Sequence, residues 1–516
     1  MSRRTRIILF VTFGTIAVAA LGTFLIARNL EPRLHQWTTA RLSESLESEI
    51  QLGSVNLHWF PLQLRAHDLT VRHHGRTDVP PLLIVSSFTV DLQLADLWSS
   101  TIDRVTVDGL EVNIPPRDSA TGKRPLPRPS SGRSQGNNST GLIVRHLIAT
   151  NARLAVVPRE SGKNAKVWDI FELDMKNLRG GEPATFTAAL INPIPYGKIE
   201  SSGRFGPWQS GEPGTSALSG KYTFAADLGT IDGLAGHLNA EGAMDGTIEQ
   251  IATTGTTSTP DFRLTELDGI ALPLNTSYKA LVDGTKGDVE LHTVDITLGR
   301  SQLKARGTVE GTKGVKGKRV VVSVSSTSTD LGELLRFVSK AANPAAQGTL
   351  IIDAAMDLPQ GKQKVLERVL LEGTVRAERV RFTNDAVQDK IDLLSRKAQG
   401  RPNDESIDEV ASRMATRFVL KNGVFAYQSL SFNVQGASIR LDGTHSLRSK
   451  AVDLSGIVLL NATVSQTQTG FKSWLLKPID PLFRKNGAGT RLVIKVAGTQ
   501  DQPKVGLEVG RTLRGR

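Results

Sequence analysis

The chain has 516 residues, with 63 Lys and Arg against 51 Asp and Glu, a formal charge of +12 that favours anionic surfaces such as phospholipid headgroups or nucleic acid. It is too long for one ordinary core, and the absence of cysteine removes disulfides, thiolate catalysis, Cys-ligated zinc and iron–sulfur clusters. Aromatics at 5% beside 48 glycines point to many short strands joined by turns.

Residues 7–27 (IILFVTFGTIAVAALGTFLIA) carry no charge. As a helix they would span roughly 30 Å, enough to cross a bilayer once. Arg3, Arg4 and Arg6 precede this run, so the positive-inside rule places the tail 1–6 in the cytoplasm and the body outside. The expectation is a single-pass protein of the inner, cytoplasmic membrane with a periplasmic body. Ala17-Val18-Ala19 leaves a cleaved signal peptide as the alternative, but the apolar run continues through Leu21, Phe24, Leu25 and Ile26, which favours an anchor. Export demotes nucleic acid as a partner.

The region 28–114 reads as α+β. Leu34, Trp37, Leu42, Leu46 and Ile50 share one helical face. From Ser54 the period becomes two. Leu62 and Leu64 lie on one parity, Leu69 and Val71 on the other, and a bulge or turn near His67 would explain the flip. Phe88, Val90, Leu92 and Leu94 share a parity, while Val105 and Val107 change phase after Gly109 to Leu110, Val112 and Ile114. Residues 115–141, rich in Pro, Gly, Ser and Arg, have the composition of a flexible linker or long loop and mark a boundary.

Strands then fill 142–516, with a loose recurrence of glycine at Gly203, Gly242, Gly307, Gly373, Gly443 and Gly498, the last four each followed by Thr. Helical insertions are expected at 330–342, where Asp330 is an N-cap, and across 385–418 as helices over 385–398 and 407–418.

No catalytic, cofactor or metal constellation is intact. GTSALSGK (214–221) is one residue too long for a phosphate loop and continues with Tyr222. His67, His73 and His74 with Asp68 and Asp78 lack metal-site spacing and read as solvated. Asp404, Glu405, Asp408 and Glu409 read as acids opening a helix. Arg72, Arg76, Arg104 and Arg117 show no sign of converging. What remains is a long β surface, apolar on alternate positions, with too few helices to cover it. A second sheet would make it a sandwich; a curled sheet left open would make it a trough for acyl chains.

Three stretches carry a family likeness: the basic tail and anchor followed by SVNLHWFPLQLRAHDLTV (54–71); IDRVTVDGLEVNIPPR (102–117); and VFAYQSLSFNVQGASIRLDGTHSLRSKAVDLSGIVLL (424–460) with GTRLVIKVAGTQDQPKVGLEV (489–509). In these the chain resembles the AsmA-like family of envelope proteins, which includes TamB- and YhdP-type relatives. The resemblance implies a single N-terminal transmembrane helix, an elongated, curled antiparallel β-sheet body with few helices and an apolar interior, and phospholipid binding or transfer in support of outer-membrane homeostasis. It supplies no catalytic residues, no metal and no cofactor, and no enzyme is expected. Lipid-groove positions are expected at Phe88, Val90, Leu92, Leu94, Val458, Leu460, Leu492, Ile494 and Val496. Partners would be the inner membrane, phospholipid and outer-membrane or periplasmic proteins. A single stacked sheet after the linker would reach on the order of 140 Å at about 4.8 Å per strand, short for a bridge. The alternative is a non-enzymatic assembly factor or scaffold whose sheet edges receive outer-membrane protein strands.

Overall fold

The computed structural model describes residues 49–59, 61–72, 80–91, 101–114, 143–156, 166–179, 181–207, 209, 213–311, 315, 317–339, 343–463, 465–467, 489–499 and 502–507. The expected anchor, most of the expected first helix, Leu92, Leu94 and residues 115–141 lie outside these. Among the described residues no helix is long and apolar enough to cross a membrane. They are mainly β, in a large mixed sheet with few helices. Two compact units are present: Met1–Phe224 with Gly242–Ala252 and Asp283–Lys286, and Ala225–Glu241 with Thr253–Val282 and Gly287–Arg516.

The first unit contains β1 (Glu49–Gln51), β2 (Ser54–Trp59), β3 (Leu62–Arg72), β4 (Leu83–Asp91), β5 (Thr101–Ile114), β6 (Ile143–Val156), β7 (Lys166–Leu178), β8 (Ala184–Pro193) and β9 (Tyr196–Phe205). The end of the expected first helix is in fact β1. Ile50 lies opposite Val71 of β3 and is buried, so at this residue cross-strand pairing wins over the helical spacing. Pairing is antiparallel throughout β2–β9 except for β5 and β6, which run parallel. Those two strands flank the compositionally distinct segment and share one core.

The change of parity anticipated near His67 falls at Asp68, whose φ is 56°. Gly109 (φ 68°) and Asn151 (φ 52°) do the same in β5 and β6. Register is retained on both sides, with His67 opposite Ser87 and Leu69 opposite Val85, so neighbouring strands turn over together. Their apolar residues therefore stay on one face. One row runs Val55, Ala66, Phe88, Val107, Ala149, Leu173 across six strands.

The chain continues through β10 (Ala217–Asp227), β11 (Leu234–Ala235), β12 (His237–Thr247), β13 (Gln250–Leu264) and β14 (Leu272–Asp283). The second unit then holds β15 (Asp288–Leu298), β16 (Ser301–Glu310), β17 (Arg319–Asp330), α1 (Leu331–Val338), β18 (Ala346–Leu358), α2 (Val365–Arg368), β19 (Leu370–Phe382), α3 (Asp385–Ala398), β20 (Ser412–Lys421), β21 (Val424–Val434), β22 (Ala437–Ser446), β23 (Ala451–Leu460), β24 (Thr490–Thr499) and β25 (Gln502–Leu507). From β15 to β25 every consecutive pair of strands is antiparallel.

The Asp330 carboxylate caps α1 by accepting from Glu333 N at 2.9 Å, and Asn384 caps α3 by accepting from Val387 N at 3.2 Å. Helix α1 ends at Val338, short of the expected 342. The helix expected over 407–418 does not form. Ser412 onward is β20, held between β19 and β21, and Asp404, Glu405, Asp408 and Glu409 lie in the loop before it. That loop is pinned by Asp392 of α3, which is 1% exposed and accepts from Glu409 N at 3.1 Å, Val410 N at 2.9 Å and Gln388 Nε2 at 2.9 Å. Gln388 in turn accepts from Phe382 N, tying helix, loop and β19 together.

Candidate apolar face of the second unit

Alternation along β15–β25 sends charge to one side and hydrocarbon to the other. On the polar side Arg319 forms a two-pronged ion pair with Asp357, holding that carboxyl below its usual range through the hydrogen bonds it donates. Lys495 pairs with Asp453 at 3.1 Å on the same side. These pairs are largely solvated and fix orientation more than they add stability.

The opposite side is built of rows kept in register across the strands. One row runs Ala305, Val324, Ala354, Gly373, Phe418, Tyr427, Gly443, Leu454, Val496 and Val505. Its neighbour runs Leu291, Gly307, Val322, Met356, Leu371, Leu420, Phe425, His445, Val452 and Gly498. Neither row contains Lys, Arg, Asp or Glu. Ten strands at about 4.8 Å give an apolar band on the order of 40 Å along the hydrogen-bonding direction. Half the hydrocarbon thickness of a bilayer is about 15 Å, so the band exceeds the length of an acyl chain.

Several glycines of the recurrence stand on this face. A Cβ on Gly307 would lie 2.0 Å from the Val321 carbonyl oxygen, and one on Gly443 2.1 Å from that of Asp453. Here the paired strand lies so close that only a hydrogen fits. The repeat read in the sequence thus marks close approach of strands.

Helices cover only parts of the face. Leu331, Leu334 and Leu335 of α1 pack on Leu350, Ala377 and Val380. Ile391, Leu394 and Ala398 of α3 pack on Phe432, Val434, Ala437 and Leu460. Elsewhere Met356, Thr416, Leu441 and Ile494 are half-buried.

The expected groove positions separate into two sets. Phe88 and Val90 belong to β4 in the first unit, Phe88 against its core cluster and Val90 buried. Val458 and Leu492 are directly opposite each other, as are Gly456 and Ile494, and Leu454 and Val496, which brings the C-terminal positions onto one patch of β23 and β24. Leu460 lies at the end of that patch under α3.

The other groups weighed from sequence remain apart. His67 and Asp68 sit on β3, and no group of three or more His, Asp or Glu suited to a metal occurs among the described residues. Arg72 and Arg104 are on β3 and β5, and the rest of that set lies outside the described residues. The phosphate-loop look-alike becomes a short turn at Pro213–Thr215 followed by β10. A shallow pocket on the polar side of β15–β17 has Glu290, His292 and Arg306 at its rim, all exposed.

Sequence reasoning missed two residues on the apolar side. His445 shares the parity of Ile439 and Leu441, and its Nε2 is buried without a hydrogen-bond partner. Tyr427 stacks on Phe425 with ring centroids 5.7 Å apart, and burial pushes its hydroxyl pKa up. A histidine and a tyrosine in the apolar phase of two adjacent strands were the available signal. No protein-family model, curated protein or solved structure matches the chain.

Proposed function

We propose that the chain is a membrane-anchored, non-enzymatic lipid-binding protein of the AsmA-like kind, facing the periplasm, in which phospholipid acyl chains lie along the apolar side of β15–β25 while headgroups stay in water. The observation that carries this reading is the pair of uncharged rows, in register from β16 to β24, in which Val322, Met356, Leu371, Phe425 and Val496 are half-buried while Phe418, Leu420 and Leu454 are buried. Solvation of hydrocarbon by such a face is driven by release of water and needs no cofactor or energy source. Outer-membrane homeostasis is the role that this activity and the family resemblance favour.

The test is lipid retention by the full chain extracted in mild detergent, read by native mass spectrometry with lipid extraction. Wild type should carry phospholipid in defined amounts. Ile494→Asp places a charge at a half-buried position and should cut retained lipid several-fold without lowering the melting temperature. Val458 is 7% exposed, so Val458→Asp should cost fold stability as well. A folded wild type that carries no lipid refutes the reading.

The edge of β25 favours a second reading, an assembly factor acting by strand addition. Among the described residues β25 pairs only with β24, and its Val505 is 69% exposed. Crosslinks from Lys504 to an outer-membrane barrel protein, with no lipid bound, would decide for it.

A further inference from the structure

Charge is segregated on the polar side of the first unit. One row runs Asp91, Arg104, His146, Lys176, Thr185 and Arg204 across β4–β9. It lies on the side opposite the core residues Val105 and Leu147, and each member is within three positions of a strand terminus at the same end of the sheet. Arg104 and His146 are neighbours in parallel register, and His146 is directly opposite Lys176. Among the described residues Arg104, Lys176 and Arg204 are exposed and enter no ion pair. The nearby carboxylates are engaged elsewhere: Asp91 accepts from Gln63 at 2.8 Å, and Asp174 is 2.8 Å from the His146 Nε2.

The acids of this side gather instead in a row further from that end, at Asp108, Glu172 and Glu200. The contrast is sharp on β6 and β7, where Arg153 lies opposite Asp169 and bonds it at 3.1 Å. Like charges directly opposite each other destabilise a sheet, so folding gains nothing from a row of unpaired cations. An anionic partner offsets that cost.

The spacing defines the partner. From Arg104 on β5 to Arg204 on β9 is four strand steps, about 19 Å at about 4.8 Å each. One phosphate cannot meet both, so the partner must present several anions along a surface. Residues 7–27, uncharged and proposed above to cross a bilayer, are joined to β1 by the 21 residues 28–48. Fully extended, that tether reaches at most about 75 Å, which keeps the first unit beside a bilayer.

We infer that Arg104, Lys176 and Arg204 form a docking strip for the headgroup phosphates of an anionic bilayer, holding this end of the first unit against the membrane in which the chain is anchored. This rests on the anchor in the reading above and adds which side of the first unit meets the headgroups. It does not depend on acyl chains binding to β15–β25.

The chain has no cysteine, so Thr187→Cys, exposed and on the same side of β8, gives a single labelling site. The full chain carrying a fluorophore there is placed in nanodiscs of phosphatidylcholine, alone or with added phosphatidylglycerol, each holding headgroup spin-labelled lipid as quencher. Quenching should rise several-fold with phosphatidylglycerol and fall back at 1 M salt, where the screening length is about 3 Å. Each Lys or Arg near an anionic surface contributes roughly fivefold to the ratio of docked to free protein. Lys176→Gln should therefore lower that ratio about fivefold, and Arg104→Gln, Lys176→Gln and Arg204→Gln together about a hundredfold, without lowering the melting temperature. If the triple variant fails to fold, Lys176→Gln alone decides. Equal quenching in both discs, or a response that survives the substitutions, overturns the strip and leaves the anchor standing. A full chain that enters neither disc overturns the anchor and the strip with it. Binding of an oligonucleotide that depends on the three cations, with no response to phosphatidylglycerol, overturns the membrane as partner and assigns the row to nucleic acid.

Discussion

Replacing Gly373 by alanine should destabilise the second unit, and the sign of the effect tests whether β18 and β19 approach too closely for a side chain at this position. An added Cβ would lie 2.3 Å from the Asp353 carbonyl oxygen, 2.7 Å from Ala354 Cα and 2.8 Å from Ala354 Cβ. Two of those atoms are backbone of the paired strand β18, so relief requires the strands to separate. Overpacking a tight site costs about 1–3 kcal/mol, and with main chain on the receiving side the upper value applies, about 3 kcal/mol. That corresponds to roughly a hundredfold faster exchange of the β18–β20 amides that open with the unit. Hydrogen exchange on the full chain reads this directly. Gly311→Ala is the control, since the nearest atom to its Cβ is Asp288 Oδ1 at 3.6 Å, and it should leave exchange unchanged. Slower exchange in Gly373→Ala would refute the reasoning. It would mean that the glycine contributes only unfolded-chain entropy, which alanine reduces by about 0.4–1 kcal/mol.

Asp392→Ala should cost about 1–3 kcal/mol, because the half-buried Val410 N–H loses its acceptor while the Glu409 N–H keeps Asp408 Oδ1 at 3.0 Å; faster exchange at the Val410 amide, with α3 intact, is the check. His237 should titrate above the ordinary histidine value of about 6.5, since Asp261 accepts a 2.7 Å hydrogen bond from its Nδ1 and stabilises the cation, while Asp261 is held low chiefly by the hydrogen bond from the His237 backbone N–H. The ion pair is therefore complete at a pH between the two folded values. It is lost as pH rises through that of His237 and as pH falls through that of Asp261. An imidazole titration by NMR should move back toward the ordinary value in Asp261→Asn; no change would show that the pairing is absent in solution.

Much of the β architecture is legible from period two alone, because one face of each strand is apolar and the other charged. Asp330 and the residues 385–398 announce their helices by capping chemistry and spacing. The failure at 407–418 is instructive. Ile407, Val410, Met414 and Phe418 fall at helical intervals, yet Met414, Thr416, Phe418 and Leu420 also alternate, and pairing with β19 and β21 settles the ambiguity. Asp392 looks like any charged helix position until the loop it anchors is in view. The trough-or-sandwich question turns on which parts of a face a helix reaches, a tertiary property that Leu334 or Ile391 alone cannot reveal.

The antiparallel succession from β15 to β25 separates two kinds of evolutionary change. Each strand bonds only to its sequence neighbours, so duplicating or deleting a whole hairpin returns the chain to the same edge with the same phase. Gaining or losing one residue inside a strand instead exchanges the wet and dry sides of everything up to the next turn. Descendants of this sequence can therefore drift in the number of strands while their hydropathic phase stays fixed, and lineages would diverge by hairpin-sized steps.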